Sequence, residues 1–249
     1  MQTRLKQSII VTGGSRGIGA EIVKLCTQAG YDVCFTYQQQ RDKAAALVEH
    51  CHAHAGKAIA VQADSNVPSD MVHVFHSAQQ LSPLYGLVNN VGITSPIQPF
   101  HLIDEATLRH VFDVNVISTM LMSQHAIRYW LQHQLAGNIV NISSIAAKTG
   151  SPHEYVHYAA SKAAIETFTV GLAKEVATQN IRVNAVSPGI THTDIHALSG
   201  EPDRAHRLAS RIPMQRSAHA TEIAEAALWL LLPASSYVTG AVIPVSGGL

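Results

Sequence analysis

Short runs rich in valine and isoleucine alternate with longer amphipathic runs along the whole chain, and this alternation constrains the fold more than any other feature. Ser8–Thr12 is one such short run, and the amphipathic run Arg16–Gly30 follows it. Strands that are apolar on both faces are typical of parallel sheets covered by helices. The pattern therefore predicts an α/β fold with a doubly wound parallel sheet of about seven strands and helices on both faces.

The same pattern sets the predicted boundaries of the elements. The predicted strands are residues 8–12, 31–37, 57–63, 84–89, 138–143, 181–187 and 241–245. The predicted helices are residues 16–30, 41–55, 68–80, 104–135, 155–179 and 220–232. No linker, repeat or low-complexity segment interrupts this order, so 249 residues predict one domain, residues 1–249.

Composition excludes several classes of function. The 17 Lys and Arg residues equal the 17 Asp and Glu residues, so no basic excess favours nucleic acid. The longest strongly apolar stretch, Ala226–Leu232, is far shorter than the roughly 20 residues that span a membrane. No signal-peptide core follows the first residues. The three cysteines are too few and too odd in number for a disulfide framework, which leads us to expect a reducing, cytoplasmic location.

A glycine-rich turn follows the first predicted strand and opens the first predicted helix. It reads Thr12-Gly-Gly-Ser-Arg-Gly-Ile-Gly19. Glycine lets the backbone approach a pyrophosphate, and the helix N-terminus presents free N–H groups and a positive dipole end. The turn therefore predicts a dinucleotide site that includes Gly13, Ser15, Arg16, Gly17, Ile18 and Gly19.

Tyr158 and Lys162 form the pair with the most specific chemistry. Residues four apart share one face of a helix, with β-carbons about 6 Å apart. A free tyrosine has a pKa near 10, which is too high for ready proton exchange at neutral pH. We expect a neighbouring ammonium to lower that pKa, so that Tyr158 can exchange a proton with a carbonyl or alcohol oxygen.

The glycine spacing and the Tyr158–Lys162 pair together resemble the short-chain dehydrogenase/reductase family over essentially the whole chain. The resemblance implies a Rossmann-type fold, a nicotinamide cofactor and hydride transfer between a carbonyl and an alcohol. The nearest likeness is to bacterial sugar-dehydrogenase-like and 3-oxoacyl-carrier-protein-reductase-like members. The enoyl-reductase branch has a wider spacing between its Tyr and Lys, so the spacing here disfavours that branch.

The family resemblance also assigns further cofactor and catalytic residues. Asp64 matches the aspartate that contacts adenine. The segments 89–92 and 188–193 match backbone and hydroxyl contacts to the cofactor, and they add Asn89, Val91, Gly92, Pro188, Gly189, Ile190 and Thr193 to the predicted site. The catalytic serine matches Ser144, with Ser143 as the alternative. Asn115 matches an asparagine that kinks its helix and holds a water linking Lys162 to solvent.

The cofactor preference is predicted from the end of the second strand. An NAD site usually places an acid about 20 residues after the glycine turn, but Gln38 stands there. Arg16 can reach a 2′-phosphate, with Arg41 as a possible second contact, and guanidinium groups favour phosphate. The sequence therefore predicts NADP(H).

One metal motif is present and we decline it. His153-Glu-Tyr-Val-His157 matches the pattern of zinc proteases, and Glu175 is a conceivable third ligand. Zinc needs both histidines on one helix face, and Pro152 leaves His153 at or before the first turn. We therefore predict no metal site. For His157 alone, two interpretations remain: a residue that lines the substrate pocket, or a neighbouring surface histidine.

The remaining predictions concern partners and alternatives. The polar segment 190–216 is interpreted as a lid over a small carbonyl or alcohol substrate, with a short helix. The family resemblance implies a homotetramer that packs the helices at 104–135 and 155–179 against their copies. The alternative function is a non-catalytic NADP(H)-binding redox sensor, although such relatives usually lose the Tyr or the Lys. An epimerase of nucleotide sugars usually needs a larger C-terminal domain.

Overall fold

A computed structural model describes residues 6–193 and 200–249. These residues form one parallel sheet in the order β3-β2-β1-β4-β5-β6-β7. The strands are β1 (Ser8–Val11), β2 (Asp32–Tyr37), β3 (Ala58–Gln62), β4 (Leu84–Asn89), β5 (Gly137–Ile142), β6 (Ile181–Pro188) and β7 (Val242–Val245). The predicted α/β class and doubly wound sheet are confirmed. Each predicted strand is found to within one or two residues.

The α-helices cover both faces of this sheet. They are α1 (Gly17–Gln28), α2 (Arg41–Cys51), α3 (Pro68–Gln79), α4 (Glu105–Phe112), α5 (Ser118–His133), α6 (Ala146–Thr149), α7 (Val156–Val176), α8 (Arg204–Arg207) and α9 (Ala220–Leu231). Short 3₁₀ turns lie at Phe100–Leu102, Ala177–Gln179, Ala209–Arg211 and Pro233–Ser235. The sequence patterns did not predict α6 or these turns, because segments this short carry no hydrophobic period.

Two apolar cores hold the layers together. Ile22 of α1, Leu47 of α2 and Ile223 of α9 pack with one face of the sheet. Phe75 of α3 and Trp130 of α5 pack with the other face. Trp130 is fully buried, and its indole N–H donates to the carbonyl of Leu84 at 2.8 Å. All three cysteines are buried in these cores.

The long helix predicted at 104–135 is not α-helical throughout. A π-helical segment, Asp113–Ile117, separates α4 from α5. A π turn carries one extra residue relative to an α turn, which displaces the backbone groups around it. Asn115 lies in the middle of this segment. Residues 105–133 are thus helical throughout, as predicted, and the distortion that the resemblance implied at Asn115 is this π-helical segment.

The sheet topology fixes where a ligand can bind. The chain order reverses on the two sides of β1, which pairs with β2 on one edge and with β4 on the other. Ligands of doubly wound sheets bind at this switch point, at the carboxyl ends of the strands. The loops that follow β1, β4, β5 and β6 all meet there. No helix of the described residues is long and apolar enough to cross a membrane.

Candidate active site

A cleft of about 950 Å³ runs along the carboxyl ends of the strands. Its volume lies near the upper end of the usual range for ligand sites, as a dinucleotide and a substrate together require. Most of the predicted site residues line it: Gly13, Ser15, Arg16, Gly17, Ile18, Asp64, Val91, Gly92, Ser144, Tyr158, Lys162, Pro188, Gly189, Ile190 and Thr193. The fold thus brings residues from five separate loops to one edge of the sheet.

The glycine turn after β1 leaves space that side chains would fill. Gly13 and Gly17 have φ angles of +64° and +54°, which side chains rarely adopt. A β-carbon on Gly19 would lie 2.3 Å from the carbonyl oxygen of Gly13. Gly19 itself does not line the cleft, so its part is to allow the first turn of α1 to approach the loop. This turn fits a pyrophosphate at the N-terminus of α1.

Asn90, which the predicted site omitted, holds the loop after β4 against the loop after β1. Its side-chain amide donates to the carbonyls of Thr12 and Gly13 at 2.9 and 3.0 Å. Asn89 was predicted to contact the cofactor, but its side chain is buried and donates to Ser123 and Asn141. Asn89 does not line the cleft, so its side chain has no part in the site, and its backbone contact to the cofactor stays a prediction. Strand alternation explains the difference, because neighbouring side chains point to opposite faces.

The end of the cleft next to β2 and β3 contains the carboxylate of Asp64. The side-chain amide of Gln38 donates to Oδ2 of Asp64 at 2.9 Å, while Oδ1 accepts from the N–H of Asn66. Asp64 therefore lies beside the end of β2, and its contact with adenine stays a prediction. Arg16 precedes α1 and lines the cleft. Arg41 begins α2, is exposed and does not line the cleft, so its predicted phosphate contact is not supported.

The predicted catalytic pair, Tyr158 and Lys162, lies in the wall of the cleft. Tyr158 is 8% exposed, and the side chain of Ser144 lines the same cleft close enough to lower the pKa of the phenol. The ammonium of Lys162 lies 5.8 Å from the centre of the Tyr158 ring. Ser143 is also buried, but its hydroxyl donates to Oε1 of Glu166 at 3.0 Å. The geometry thus favours Ser144 over Ser143 as the hydroxyl that faces a substrate oxygen.

Burial has the largest effect on the pKa values of Tyr158 and Lys162. It raises the pKa of Tyr158 to about 12, although the neighbouring Ser144 side chain acts in the opposite direction. It lowers the pKa of Lys162 to about 8. We expected the ammonium to lower the pKa of Tyr158. Burial instead raises that pKa, so the phenol keeps its proton at neutral pH.

Asn115 lies behind the cleft rather than in its lining. It is 1% exposed, and its side-chain oxygen accepts from the N–H of Ile93 at 2.8 Å. Its side-chain amide donates to the carbonyl of Ile93 and to the hydroxyl of Ser161, both at 3.0 Å. A β-carbon on Gly92 would lie 3.1 Å from Nζ of Lys162 and 3.6 Å from Oδ1 of Asn115. Asn115 therefore fixes the loop after β4 next to Lys162.

Glu166 is a residue that sequence reasoning missed. Its Oε1 accepts hydrogen bonds from Ser143 at the end of β5 and from Ser187 at the end of β6. Glu166 lies one helical turn after Lys162 in α7. It therefore joins the catalytic helix to the ends of two strands that carry site residues. A spacing of four from Lys162 was a signal in the sequence, but its two partners come from distant segments.

The two histidines of the zinc-like motif occupy different environments. His153 precedes α7 in a turn with a φ of +64°. His157 is 3% exposed, and its Nε2 lies 3.0 Å from the hydroxyl of Ser95. His157 does not line the cleft, so neither of the two interpretations given above holds for it. Among the described residues, no group of three or more His, Cys, Asp or Glu side chains could hold a metal ion.

Comparisons with known sequences agree with this geometry. A family model described as "Enoyl-(Acyl carrier protein) reductase" matches residues 13–249. An uncharacterised oxidoreductase of Escherichia coli, YgfF, is 44% identical over 242 residues, which cover 96% of this chain and 98% of that protein. L-xylulose reductase of Caenorhabditis elegans is 35% identical, with coverage of 96% and 94%.

Solved structures give the same assignment. The 3-ketoacyl-(acyl-carrier-protein) reductase of Brucella melitensis, complexed with NADH, superposes with a TM-score of 0.89 at 27% identity and 97% coverage of both chains. A blue fluorescent protein from a metagenomic library, in complex with NADPH, superposes with a TM-score of 0.87 at 33% identity and 97% coverage of both chains. The chain belongs to the short-chain dehydrogenase/reductase family of oxidoreductases.

Proposed function

We propose that this protein is an NADP(H)-dependent oxidoreductase that interconverts a ketone or aldehyde and an alcohol. The observation that carries the proposal is that the hydroxyls of Ser144 and Tyr158 line one cleft, with the Lys162 ammonium 5.8 Å from the centre of the Tyr158 ring. A hydroxyl pair of this kind can bind one carbonyl oxygen from two sides. The relatives named for L-xylulose and 3-ketoacyl substrates support the same class of reaction.

In this proposal, each residue of the site has a separate role in the reduction. The nicotinamide supplies a hydride to the carbonyl carbon when it is bound. Ser144 donates a hydrogen bond to the carbonyl oxygen and stabilises the negative charge that develops on it. Tyr158 gives its phenolic proton to the same oxygen, which yields the alcohol. Lys162 holds a positive charge beside the phenol, and Asn115 keeps the neighbouring loop in place.

The preference for NADP(H) over NAD(H) is part of the proposal. It rests on Arg16 in the lining of the cleft and on Gln38, an amide rather than an acid, at the end of β2. The carboxylate of Asp64 lies nearby, but it accepts hydrogen bonds from Gln38 and Asn66. A guanidinium contact to a 2′-phosphate is charge-assisted and stronger than a neutral hydrogen bond.

The experiment is NADPH oxidation, followed at the nicotinamide absorbance band, with a panel of ketoacyl thioesters, diketones, aldehydes and keto-sugars. We expect turnover of at least one panel member and its loss in Tyr158→Phe, which should still bind NADPH. Normal NADPH binding with no turnover of any member would contradict the proposal. It would favour the redox-sensor alternative, which no observation on the described residues supports.

We also propose a homotetramer and a cytoplasmic location. Large apolar side chains are exposed on the interrupted helix α4–α5 and on α7: Phe112, Ile117, Leu121, Leu131 and Val156. Contiguous exposed apolar side chains favour an interface between copies. Sedimentation showing a monomer at micromolar concentration would contradict the tetramer.

The cytoplasmic location rests on the cysteines, which are buried and unpaired.

The proposed single domain includes a substrate lid at 190–216. The described part of that segment contains the short helix expected there, α8. Residues 194–199 lie outside the described residues, so the lid as a whole stays a prediction. The bridge between Thr191 and Ala218 brings the two ends of the segment together.

A further inference from the structure

Arg204 is unusually buried for a residue at the start of a four-residue helix near the surface. Its side chain is only 8% exposed, and it lines the substrate end of the cleft. Both terminal nitrogens of its guanidinium bind Glu154: Nη1 lies 3.0 Å from Oε1, and Nη2 lies 2.5 Å from Oε2. This paired arrangement fixes the orientation of the guanidinium plane as well as its position.

A second acid completes the environment of Arg204. Glu201 accepts from Nη1 of Arg204 at 3.0 Å and also binds Arg207. Two carboxylates and two guanidiniums thus balance each other. The buried charge of Arg204 is compensated within the protein, and no ligand is needed to neutralise it. Arg204 is therefore suited to hold a structure in place rather than to bind an acidic substrate.

The structure that Arg204 holds includes the catalytic tyrosine. The guanidinium carbon lies 5.3 Å from the centre of the Tyr155 ring, which is a cation–π distance. Tyr155 in turn meets Tyr158 edge-to-face, with 5.5 Å between ring centres. A continuous series of contacts therefore runs from the segment after β6, through Arg204 and Tyr155, to the phenol of Tyr158.

The location of this series gives it a role in substrate binding. Glu154, Tyr155, Tyr158 and Arg204 all line the same end of the cleft. Glu154 and Tyr155 belong to the turn before α7, and Arg204 lies 50 residues away in sequence from Glu154. The ion pair thus joins the two sides of the substrate pocket. Removal of one partner would break the paired hydrogen bonds, weaken the charge balance around the buried Arg204 and loosen the Tyr155 ring.

We propose that Arg204 is a positioning residue that, paired with Glu154, holds the Tyr155 ring as the wall of the substrate pocket and so sets the pocket's fit to the substrate. The proposal rests on the carbonyl-reductase function argued above, because it assigns the specificity of that same site. Arg204 touches neither the cofactor loop nor the reacting hydroxyls. Its effect is therefore expected on the KM of the carbonyl substrate more than on the binding of NADPH.

The test compares Arg204→Lys and Glu154→Gln with wild type. Arg204→Lys keeps the charge but loses the planar fork, and Glu154→Gln keeps the shape but loses the charge. Two carbonyl probes of different size are used, 2,3-butanedione and acetoacetyl-coenzyme A. We expect each variant to raise the KM of the better probe at least tenfold, with a smaller change in kcat and a change in the Kd of NADPH below twofold.

The matched control is the exposed pair Glu105 and Arg109 on α4, whose side chains are about three-quarters exposed. Glu105→Gln should leave both kinetic constants unchanged. The double variant Glu154→Gln/Arg204→Gln leaves no unpaired charge, so its KM should be no worse than that of the poorer single variant. Additive losses in the double variant would contradict a joint role for the two residues.

A readout independent of turnover is hydrogen–deuterium exchange of the NADPH-bound protein. Arg204→Lys should speed exchange in residues 151–158, about 50 residues away from the substitution. Unchanged exchange there, or a KM within twofold of wild type for both probes, would overturn the proposal. If wild type turns over neither probe, the carbonyl-reductase function fails on these probes, and the exchange result alone decides the positioning role of Arg204.

Discussion

The ammonium group of Lys162 donates a 2.8 Å hydrogen bond to the backbone carbonyl oxygen of Ile142. Ile142 is the last residue of β5, so this contact ties the catalytic helix α7 to the strand end that carries Ser144. It also holds the ammonium in the interior, where burial lowers its pKa to about 8. The protonation state of Lys162 is therefore sensitive to pH just above neutrality.

This pKa predicts the alkaline limit of carbonyl reduction. The kcat/KM for NADPH reports ionisations of the free enzyme. We expect it to be level near pH 7 and to fall roughly tenfold per pH unit above about pH 8, as Lys162 loses its proton. Tyr158, with a pKa of about 12, keeps its proton throughout this range. The measurement is a pH profile of initial rates. In Lys162→Arg, which stays charged, any residual activity should lack this decline, and a wild-type profile level to pH 10 would contradict the assignment.

The two neighbouring serines should separate in a paired experiment. Ser144→Ala removes the hydroxyl that lines the cleft together with the Tyr158 phenol, so we expect kcat to fall by about 10²–10³-fold. Ser143→Ala removes one of two hydrogen bonds to Glu166, so we expect a loss of about 1 kcal/mol in the free energy of unfolding and a smaller change in kcat. Steady-state kinetics and denaturant unfolding measure the two effects. A larger kcat loss in Ser143→Ala would reverse the assignment.

Arg16 and Arg41 offer a second matched pair, for cofactor preference. Arg16 lines the cleft, whereas Arg41 is exposed and does not. We expect Arg16→Ala to lower kcat/KM for NADPH by about tenfold or more, since a hydrogen bond to a charged group contributes about 1.5–3 kcal/mol. The value for NADH should change little, and Arg41→Ala should change neither. Equal losses for both cofactors in Arg16→Ala would point to the shared pyrophosphate and away from the 2′-phosphate.

The buried His157 predicts a loss of stability in mild acid. Burial lowers the pKa of His157 below its ordinary value near 6.5. The unfolded chain therefore binds a proton more readily than the folded protein as pH falls through about 6.5 and below. The contribution of the neutral, buried His157 to the free energy of unfolding is therefore fully present above that pH and is lost as the pH decreases. We expect the decrease in Tm from pH 7 to pH 5 to be smaller in His157→Gln than in wild type.

The control for that experiment is the exposed His101→Gln, which should follow the wild-type curve. Burial also lowers the pKa of His125, so part of the acid loss should remain in His157→Gln. A His157→Gln curve parallel to that of wild type would show that His157 does not contribute to the acid sensitivity.

Local patterns were sufficient to predict the sheet and the position of the cleft. Strands such as Leu84–Asn89 are buried on both faces and bounded by turn residues, so their limits could be read from the sequence with little error. Tyr158 and Lys162 were equally easy to predict from the sequence, because their spacing is local and their helix is long. The loops that follow the strands then had to meet, since parallel strands end at the same edge.

Features that depend on contacts between distant segments could not be predicted this way. His157 was interpreted as a pocket or surface residue, yet Ser95, 62 residues away, covers it. Asn89 and Asn90 are adjacent and have the same side chain. Only the direction in which each side chain points at the strand end makes Asn89 a buried residue and Asn90 the one that holds the glycine turn. Arg204 and Glu154 likewise carry no mutual signal in the sequence.

The π-helical segment Asp113–Ile117 has a consequence for how the gene can vary. Deletion of one codon there would convert the segment to ordinary α-helix and turn everything after it by about 100°. Trp130 and Ala126, which are fully buried, would then rotate away from the sheet, and Asn115 would lose its hold on Ile93. Substitutions on the outer face of this helix are compatible with the fold, whereas insertions and deletions are not. The length of this stretch should therefore be fixed among working variants of the protein, even where its sequence changes.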